Sequence, residues 1–333
     1  MKKKLFACLL SAAMVLSLAA CGSTSGTETD TTDTEGSGSE GQTYTVGVIQ
    51  QMQHEALDAA TEGFQDALKE LLGEDQVEIE VQNASGEAAN CSTIVGSFVS
   101  SGVDLIMANG TTALQNASAA TNTIPILGTS ITEYGVALGI DGFTGTTGIN
   151  VSGTSDLAPL DQQAAMVQEW FPDAQNVGLL YCSAEPNSLY QVETVQGYLE
   201  DMGYTCTPYS FSDSNDLSAV ATNACAQSDV IYIPTDNTAA QNAELIGNIA
   251  QSSATPIIAG EEGICAGCGV ATLTISYYDI GYATGEMAYE ILVNGADPAQ
   301  MEIQYAPQFT KKYNPDMCDA LGLTAPEGYE AIG

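Results

Sequence analysis

The sequence predicts an α/β protein made of two doubly wound parallel-sheet lobes joined by a multi-strand hinge. Three observations predict it. Short apolar or β-branched runs alternate with longer helical patterns, the alternation runs through twice, and a Gly-, Thr- and Ser-rich stretch, Thr144 to Ser155, separates the two series. About 290 residues follow the polar amino-terminal tract, more than one hydrophobic core usually serves.

The first series reads strand Thr45 to Ile49, helix Glu55 to Leu72, strand Val77 to Gln82, helix Glu87 to Ser100, strand Val103 to Ala108, helix Thr111 to Asn122 and strand Ile124 to Leu127. The strands are rich in Val and Ile, and the helices place apolar residues three and four apart. The second series opens with a helix from Pro159 to Phe171. Strand Val177 to Tyr181, helix Asn187 to Met202, strand Tyr204 to Tyr209, helix Asp216 to Gln227, strand Val230 to Ile233, helix Thr238 to Gln251 and strand Pro256 to Ala259 follow. Crossings between the lobes are expected at Thr144 to Ser155 and at Val270 to Ser276, the latter leading into an amphipathic helix from Tyr278 to Val293. Several crossings between two lobes make a clamshell.

The amino end reads as a leader. Lys2, Lys3 and Lys4 precede an apolar core from Leu5 to Leu18, and Leu18-Ala19-Ala20-Cys21 has the small residues before cysteine of a lipoprotein cleavage site. Acylation of Cys21 and an anchor at the outer face of the cell membrane are the expectation, since no later run reaches the ~20 apolar residues of a spanning helix. The following tract to about residue 42 is almost wholly Ser, Thr, Gly, Asp and Glu, a flexible leash with a reach of about 25 Å.

Charge excludes some functions. The chain has 42 Asp and Glu against 6 Lys and no arginine, a formal net charge of −36. Beyond the leader only Lys69, Lys311 and Lys312 are cationic, so nucleic acid is not an expected partner. Any carboxylate ligand must be held without a guanidinium. The cysteines beyond Cys21 are Cys91, Cys182, Cys206, Cys225, Cys265, Cys268 and Cys318, an odd number that leaves the disulfide pattern open. Cys265-Ala-Gly-Cys268 lacks a second ligand pair, and His54 is the only histidine, so no metal or cofactor is expected. No nucleotide loop, metal cluster or assignable triad is present, and His54 has no nucleophile tied to it by spacing, which argues against an enzyme. Trp170, before Phe171-Pro172, is expected in a core.

In open parallel sheets, ligands bind beyond the carboxyl ends of the strands. In the first series those loops are Gln50 to His54, Asn83 to Ser85, Asn109 to Thr112 and Gly128 to Ser130. In the second they are Cys182 to Ser188, Ser212 to Asp213, Pro234 to Asn237 and Gly260 to Glu262.

The segments Gly47 to Gln50 with His54 to Asp58, Asn150 to Asp156, Glu185 to Ser188 and Tyr232 to Thr238 share their order and spacing with one known family, as do Tyr277 to Gly281 and Gly285 to Ala288. From about Tyr44 to Gln304 the chain resembles the ABC-transporter substrate-binding proteins that include the tryptophan and aromatic amino acid binding lipoproteins of Gram-positive bacteria. That resemblance implies a type I periplasmic binding protein-like fold, a monomeric binder of a small molecule, and permease and ATPase partners. The implied organisation is a signal peptide at 1–20, a lipidated cysteine and linker at 21–43, an N-terminal lobe of 44–155 plus 276–300, and a C-terminal lobe of 156–275 plus 301–333. The ligand cleft lies between the lobes.

A zwitterionic amino acid such as Trp, Phe or Tyr then needs donors for its carboxylate and acceptors for its ammonium. Gly110-Thr111-Thr112 and Asn187-Ser188, each opening a helix after a strand, are the expected carboxylate holders. Asp236 is the leading ammonium partner, with Glu185 and Glu261 behind it. Gln50, Gln51, Ser130 and Asn237 complete the polar set; Tyr134, Tyr190 and Tyr277 are the candidate ring surfaces, and Asp156 is a helix cap that also faces the cleft. The alternatives to amino acid import are a sensory module reporting to a membrane receptor and capture of a different small metabolite.

Overall fold

Every strand of the first series lies in one parallel sheet. In the computed structural model, which describes residues 43–332, the elements are β1 (Tyr44–Gln50), α1 (Glu55–Leu72), β2 (Val77–Asn83), α2 (Ala88–Ser101), β3 (Leu105–Asn109), α3 (Thr111–Ala120), β4 (Ile126–Ile131), α4 (Tyr134–Leu138) and β5 (Val151–Ser155). The expected signal peptide, Cys21 and the linker up to residue 42 lie outside the described residues. The central strands β3 and β4 are buried along their whole length, as helices on both faces require, whereas the edge strand β2 turns Glu78 and Glu80 outward. Helix α1 buries Leu57, Ala60, Thr61, Phe64, Ala67 and Leu68 at three- and four-residue spacing and stops at Gly73, whose φ of 92° disfavours other residues.

The second series builds α5 (Leu160–Trp170), β6 (Asn176–Cys182), α6 (Pro186–Asp201), β7 (Thr205–Phe211), α7 (Ser214–Gln227), β8 (Val230–Ile233), α8 (Asn237–Gln241), α9 (Ala243–Ser253), β9 (Ile257–Ala259), α10 (Glu262–Gly267) and β10 (Ala271–Thr274). The single helix expected from Thr238 to Gln251 is broken at Asn242, whose Nδ2 donates to the Thr238 carbonyl at 2.8 Å and whose backbone leaves the helical region. Pro208 sits in β7, the edge strand, where no neighbour needs its missing N–H. The chain ends with α11 (Tyr277–Leu292), β11 (Gln304–Tyr305), β12 (Thr310–Tyr313), α12 (Pro315–Leu321) and β13 (Glu330–Ala331).

The sheet orders are β11-β5-β4-β3-β1-β2 and β13-β12-β10-β9-β8-β6-β7, so each series forms its own sheet. The chain passes between them after β5, after β10 and after β11. Thr144 to Ser155 therefore ends as strand β5 with its crossing just after it, whereas the passage after β10 runs through Ile275 and Ser276, within the expected segment Val270 to Ser276. The last passage, expected near residue 301, comes after Tyr305, because Gln304 and Tyr305 still pair with Thr154 and Ser155. Helix α11 returns to the first sheet and packs along α1. Glycines permit this approach: a Cβ on Gly63 would overlap the Tyr278 carbonyl, and one on Gly281 would overlap that of Ala60. The hinge end of the first sheet is equally tight. Gly153, at φ 141°, lies against the Gly128 backbone, and the Tyr134 hydroxyl donates to the carbonyls of Gly128 and Thr154, each at 3.0 Å.

Candidate functional site

The carboxyl ends of both sheets face each other across a buried cavity. The first sheet and the hinge contribute His54 and Leu57 at the start of α1, Ser130 at the end of β4, Asp156 just after β5 and Tyr277 at the start of α11. The second sheet contributes Asn187 on α6, Thr235, Asp236 and Asn237 after β8, Ala240 on α8 and Glu261 after β9. The enclosed space is about 10 Å³, roughly the room of one water, so a larger ligand enters only when the lobes part. A wider opening of about 420 Å³ lies on one side, lined by Gln51, Thr112, Cys182, Glu185 and Thr238 among others. On the hinge side a pocket of about 300 Å³ shares Glu261 and Tyr277 with the cavity.

Side chains bridge the lobes directly. Asn237 Nδ2 donates to Glu185 Oε2 at 2.7 Å, which turns Asn237 Oδ1 toward His54 Nε2 at 3.0 Å and makes the histidine nitrogen the donor. Burial holds the His54 pKa down, opposed by that hydrogen bond and by the charges of Glu185 and Asp58. A second bridge runs from Gln191 Nε2 to Thr132 Oγ1 at 3.4 Å.

Three carboxylates, Asp156, Asp236 and Glu261, line the cavity and a fourth, Glu185, lines the wider opening beside it, and their bonding separates their roles. Both Asp236 oxygens are engaged, Oδ1 by the Ala239 N–H at 2.8 Å as the cap of α8 and Oδ2 by the Cys182 N–H at 2.6 Å. Burial, then the neighbouring charge of Glu185, raises its pKa. Glu185 staples the start of the same helix, accepting from the Asn237 and Thr238 N–H groups and from the Thr238 hydroxyl. Glu261 caps α10 through the Gly263 and Ile264 N–H groups, and burial lifts its pKa to about 7. Asp156 accepts only hydroxyls, from Thr132 at 3.0 Å and Tyr277 at 3.1 Å, and burial lifts its pKa to about 6.

Two polar atoms in the cavity wall have no partner, Ser130 Oγ and Asn187 Oδ1. Both residues are more than nine-tenths buried, and Ser130 also holds a left-handed backbone, φ 56°. Unmet buried polar atoms beside a strained residue mark a place shaped for a ligand.

The expected site residues divide accordingly. Ser130, Asn187, Asp236, Asn237, Glu261 and Tyr277 line the cavity, as does Asp156, while Gln51, Thr112 and Glu185 line the wider opening. The Thr112 N–H is already held by Gln51 Oε1 at 2.8 Å, so the start of α3 offers less to a carboxylate than the sequence suggests. Thr111 and Ser188 are buried in the first turns of α3 and α6. Gln50 belongs to the first lobe's interior, bonded to Asp58 at 2.6 Å, Met52 and Thr61. Tyr134 is core, stacked near Phe143 and bonded through its hydroxyl, and Tyr190 packs on the core of the second lobe, so neither offers a ring face to the cavity. Trp170 meets Tyr329 edge-on at 5.3 Å, within the second lobe's core region. Sequence reasoning missed His54 as a lobe bridge, together with Thr132 and Gln191. Among the described residues, no group of three or more His, Cys, Asp or Glu could hold a metal ion, and Cys91, Cys182, Cys206, Cys225, Cys265, Cys268 and Cys318 are free thiols.

Known proteins share this architecture. A tyrosine-binding protein of Clostridioides difficile strain R20291 is 33% identical over 249 residues, which is 74% of this chain and 72% of that protein. An ABC domain from Streptococcus pneumonia, solved in complex with L-Trp, superposes with a TM-score of 0.83 at 30% identity, covering 87% of this chain and 100% of that one. A substrate binding protein with adhesive properties from Clostridium difficile, in its ligand-free, open structure, gives 0.67 at 32% identity, with 87% and 99% covered. At nearly equal identity, the higher score on the L-Trp complex puts the lobe arrangement described above nearer to that complex than to the open form. The profile of the ABC transporter substrate binding protein family matches residues 45–331, and the chain belongs to that family.

Proposed function

We propose that this chain captures an aromatic amino acid, Trp, Tyr or Phe, between its lobes and delivers it to the permease and ATPase of an ABC importer. The observation that carries the reading is the unpartnered pair in the cavity wall, Ser130 Oγ and Asn187 Oδ1, flanking Asp156. An ammonium fits against Asp156 and Asn187 Oδ1, which are acceptors, and a carboxylate fits the Ser130 hydroxyl. Asp156 thus takes the role expected of Asp236, whose oxygens are committed to the scaffold. No cationic side chain lines the cavity, and Lys311 and Lys312 are paired with Glu169 and Glu262, each at 2.7 Å. The relatives named for tyrosine and solved with L-Trp support the aromatic class.

In this reading one lobe is the first sheet with α11 and the other is the second sheet, and the ligand favours the closed arrangement by contacting both. The body is extracytoplasmic and tethered through acylated Cys21. Calorimetry with the twenty common amino acids tests the ligand class, and absence of binding by any aromatic one refutes it. Loss of labelled palmitate on Cys21→Ser tests the anchor.

A further inference from the structure

We propose that the amino end of α1 holds the carboxylate of the ligand, through the main-chain N–H groups of Ala56 and Leu57 together with the Ser130 hydroxyl. The cleft then takes aromatic amino acids as free acids and discriminates against their primary amides and their decarboxylated amines. The inference rests on the aromatic amino acid reading above and supplies the anion donors of a site without a cation.

The first turn of an α-helix leaves its N–H groups without partners inside the helix, at the positive end of its dipole. Among the described residues no acceptor meets those of Glu55, Ala56 and Leu57. The first N–H of α1 with a partner is that of Asp58, given to the His54 carbonyl at 3.0 Å. His54 holds the capping position but makes no side-chain cap, its imidazole bonding Asn237 of the other lobe instead. Neither acid of the first turn supplies one: Asp58 accepts from Gln50 Nε2 at 2.6 Å, and Glu55 stands exposed at the hinge-side pocket. Ala56 and Leu57 are 6% and 1% exposed, so bulk water has little access to serve as the missing acceptor.

The other helices that border the cavity begin differently. Helices α8, α10 and α11 carry side-chain caps, from Asp236, Glu261 and Ser276, and Glu185 takes the two remaining first-turn N–H groups of α8. Helix α6 opens on Pro186, which has no N–H, and the Ser188 and Leu189 N–H groups meet the Glu185 carbonyl at 3.1 and 3.2 Å. Of these five helices only α1 opens on three unmet donors. His54 and Leu57 line the same enclosed space of about 10 Å³ as Ser130, Asp156 and Asn187. Ser130, 7% exposed, brings the unpartnered hydroxyl of that space. So small a volume puts the end of α1 and this hydroxyl within reach of one amino acid head group, with its carboxylate on these donors and its ammonium on Asp156 and Asn187 Oδ1.

Titration calorimetry on the full chain decides the matter with L-tyrosine, L-tryptophan and L-phenylalanine, their primary amides, and the amines tyramine and tryptamine. Each acid that binds the wild-type protein should do so at least about tenfold tighter than its amide or amine. The donors themselves are tested in protein made with lactic acid in place of Ala56, or leucic acid in place of Leu57, where an ester oxygen replaces one N–H and the side chain is kept. Each ester should weaken the acid about three- to thirtyfold and the amide about threefold at most. The melting temperature without ligand should stay near wild type, because neither N–H serves the fold. Equal affinity of the wild-type protein for acid and amide overturns the proposal, so an ester protein that fails to fold leaves the test intact. Wild-type affinity in both folded esters, or equal loss of acid and amide, also overturns it while the aromatic reading stands. Binding by none of the three acids refutes the aromatic reading, and this assignment with it.

Discussion

Replacing Asp156 by asparagine should separate the cost of holding the site from its use. Asp156 is 5% exposed, has no cation beside it and accepts only the hydroxyls of Thr132 and Tyr277. Burial has moved its carboxyl from 3.8 to about 6, which corresponds to about 3 kcal/mol against the charged form at pH 7. Asparagine keeps the shape and removes the charge, and either hydroxyl can turn to accept from the new amide. The melting temperature of the protein without amino acid should therefore stay level or rise. The ligand's ammonium loses a charged partner worth about 1.5–3 kcal/mol, so affinity for the preferred aromatic amino acid should fall about 10- to 100-fold. Asp236→Asn should behave in the opposite way, lowering stability by about 1–3 kcal/mol because an amide oxygen can accept from only one of the Ala239 and Cys182 N–H groups that the two carboxylate oxygens now hold, while keeping affinity near wild type. Differential scanning calorimetry and titration calorimetry on the same preparations read both quantities. Wild-type affinity in Asp156→Asn would refute the assignment of the ammonium to this carboxylate.

Other outcomes follow from the same geometry. Burial raises the pKa values of Asp156, Asp236 and Glu261 in the folded protein, so their contribution to stability is fully present below about pH 4 and is lost as pH rises through about 6 to 7. The melting temperature should consequently climb as pH is lowered from 8 to 6.5, and a fall over that interval contradicts the account. Below about 6.5 the depressed pKa of buried His54 works against the trend, because its charged form is the disfavoured one. His54→Ala removes the bond to Asn237, worth about 0.5–1.5 kcal/mol, and should speed ligand release about two- to tenfold in stopped-flow fluorescence; an unchanged rate argues that the bridge plays no part in closure. Gly281→Ala forces α11 off α1 and should lower stability by about 1–3 kcal/mol or more in urea titrations, with unchanged stability refuting the tight packing there.

Much of the fold was legible because its signals are local. The helix Glu55 to Leu72 and the strand Val230 to Ile233 coincide with the observed elements, since periodicity and flanking glycines or prolines define them without reference to the rest of the chain. Helices α4 and α10, of five and six residues, span too few turns to display a period. The site was legible as a set of loops, not as roles. Asp236 and Asp156 both follow strands and both read as helix caps, but α5 begins only at Leu160, behind Pro159, so Asp156 caps no helix. They differ because Asp236 caps its own helix, whereas Asp156 meets Thr132 and Tyr277, 24 and 121 positions away. No reading of neighbours could see Gln191 reaching Thr132, 59 positions off. Tyr134 misled for a related reason: its loop position is right, but glycines at 128 and 153 open a slot that draws the ring inward.

The three passages between the sheets bear on how the molecule can move. Each is only a few residues long, and each is anchored at both ends, one of them by the α11 helix seated on α1 through Gly63 and Gly281. A single link would act as a ball joint, free to swivel and shear. Three links side by side resist torsion and sliding and leave one easy rotation, that of a door on its leaf. The opposing walls can therefore meet in only one register. In that register His54 meets Asn237 at 3.0 Å and Gln191 meets Thr132 at 3.4 Å.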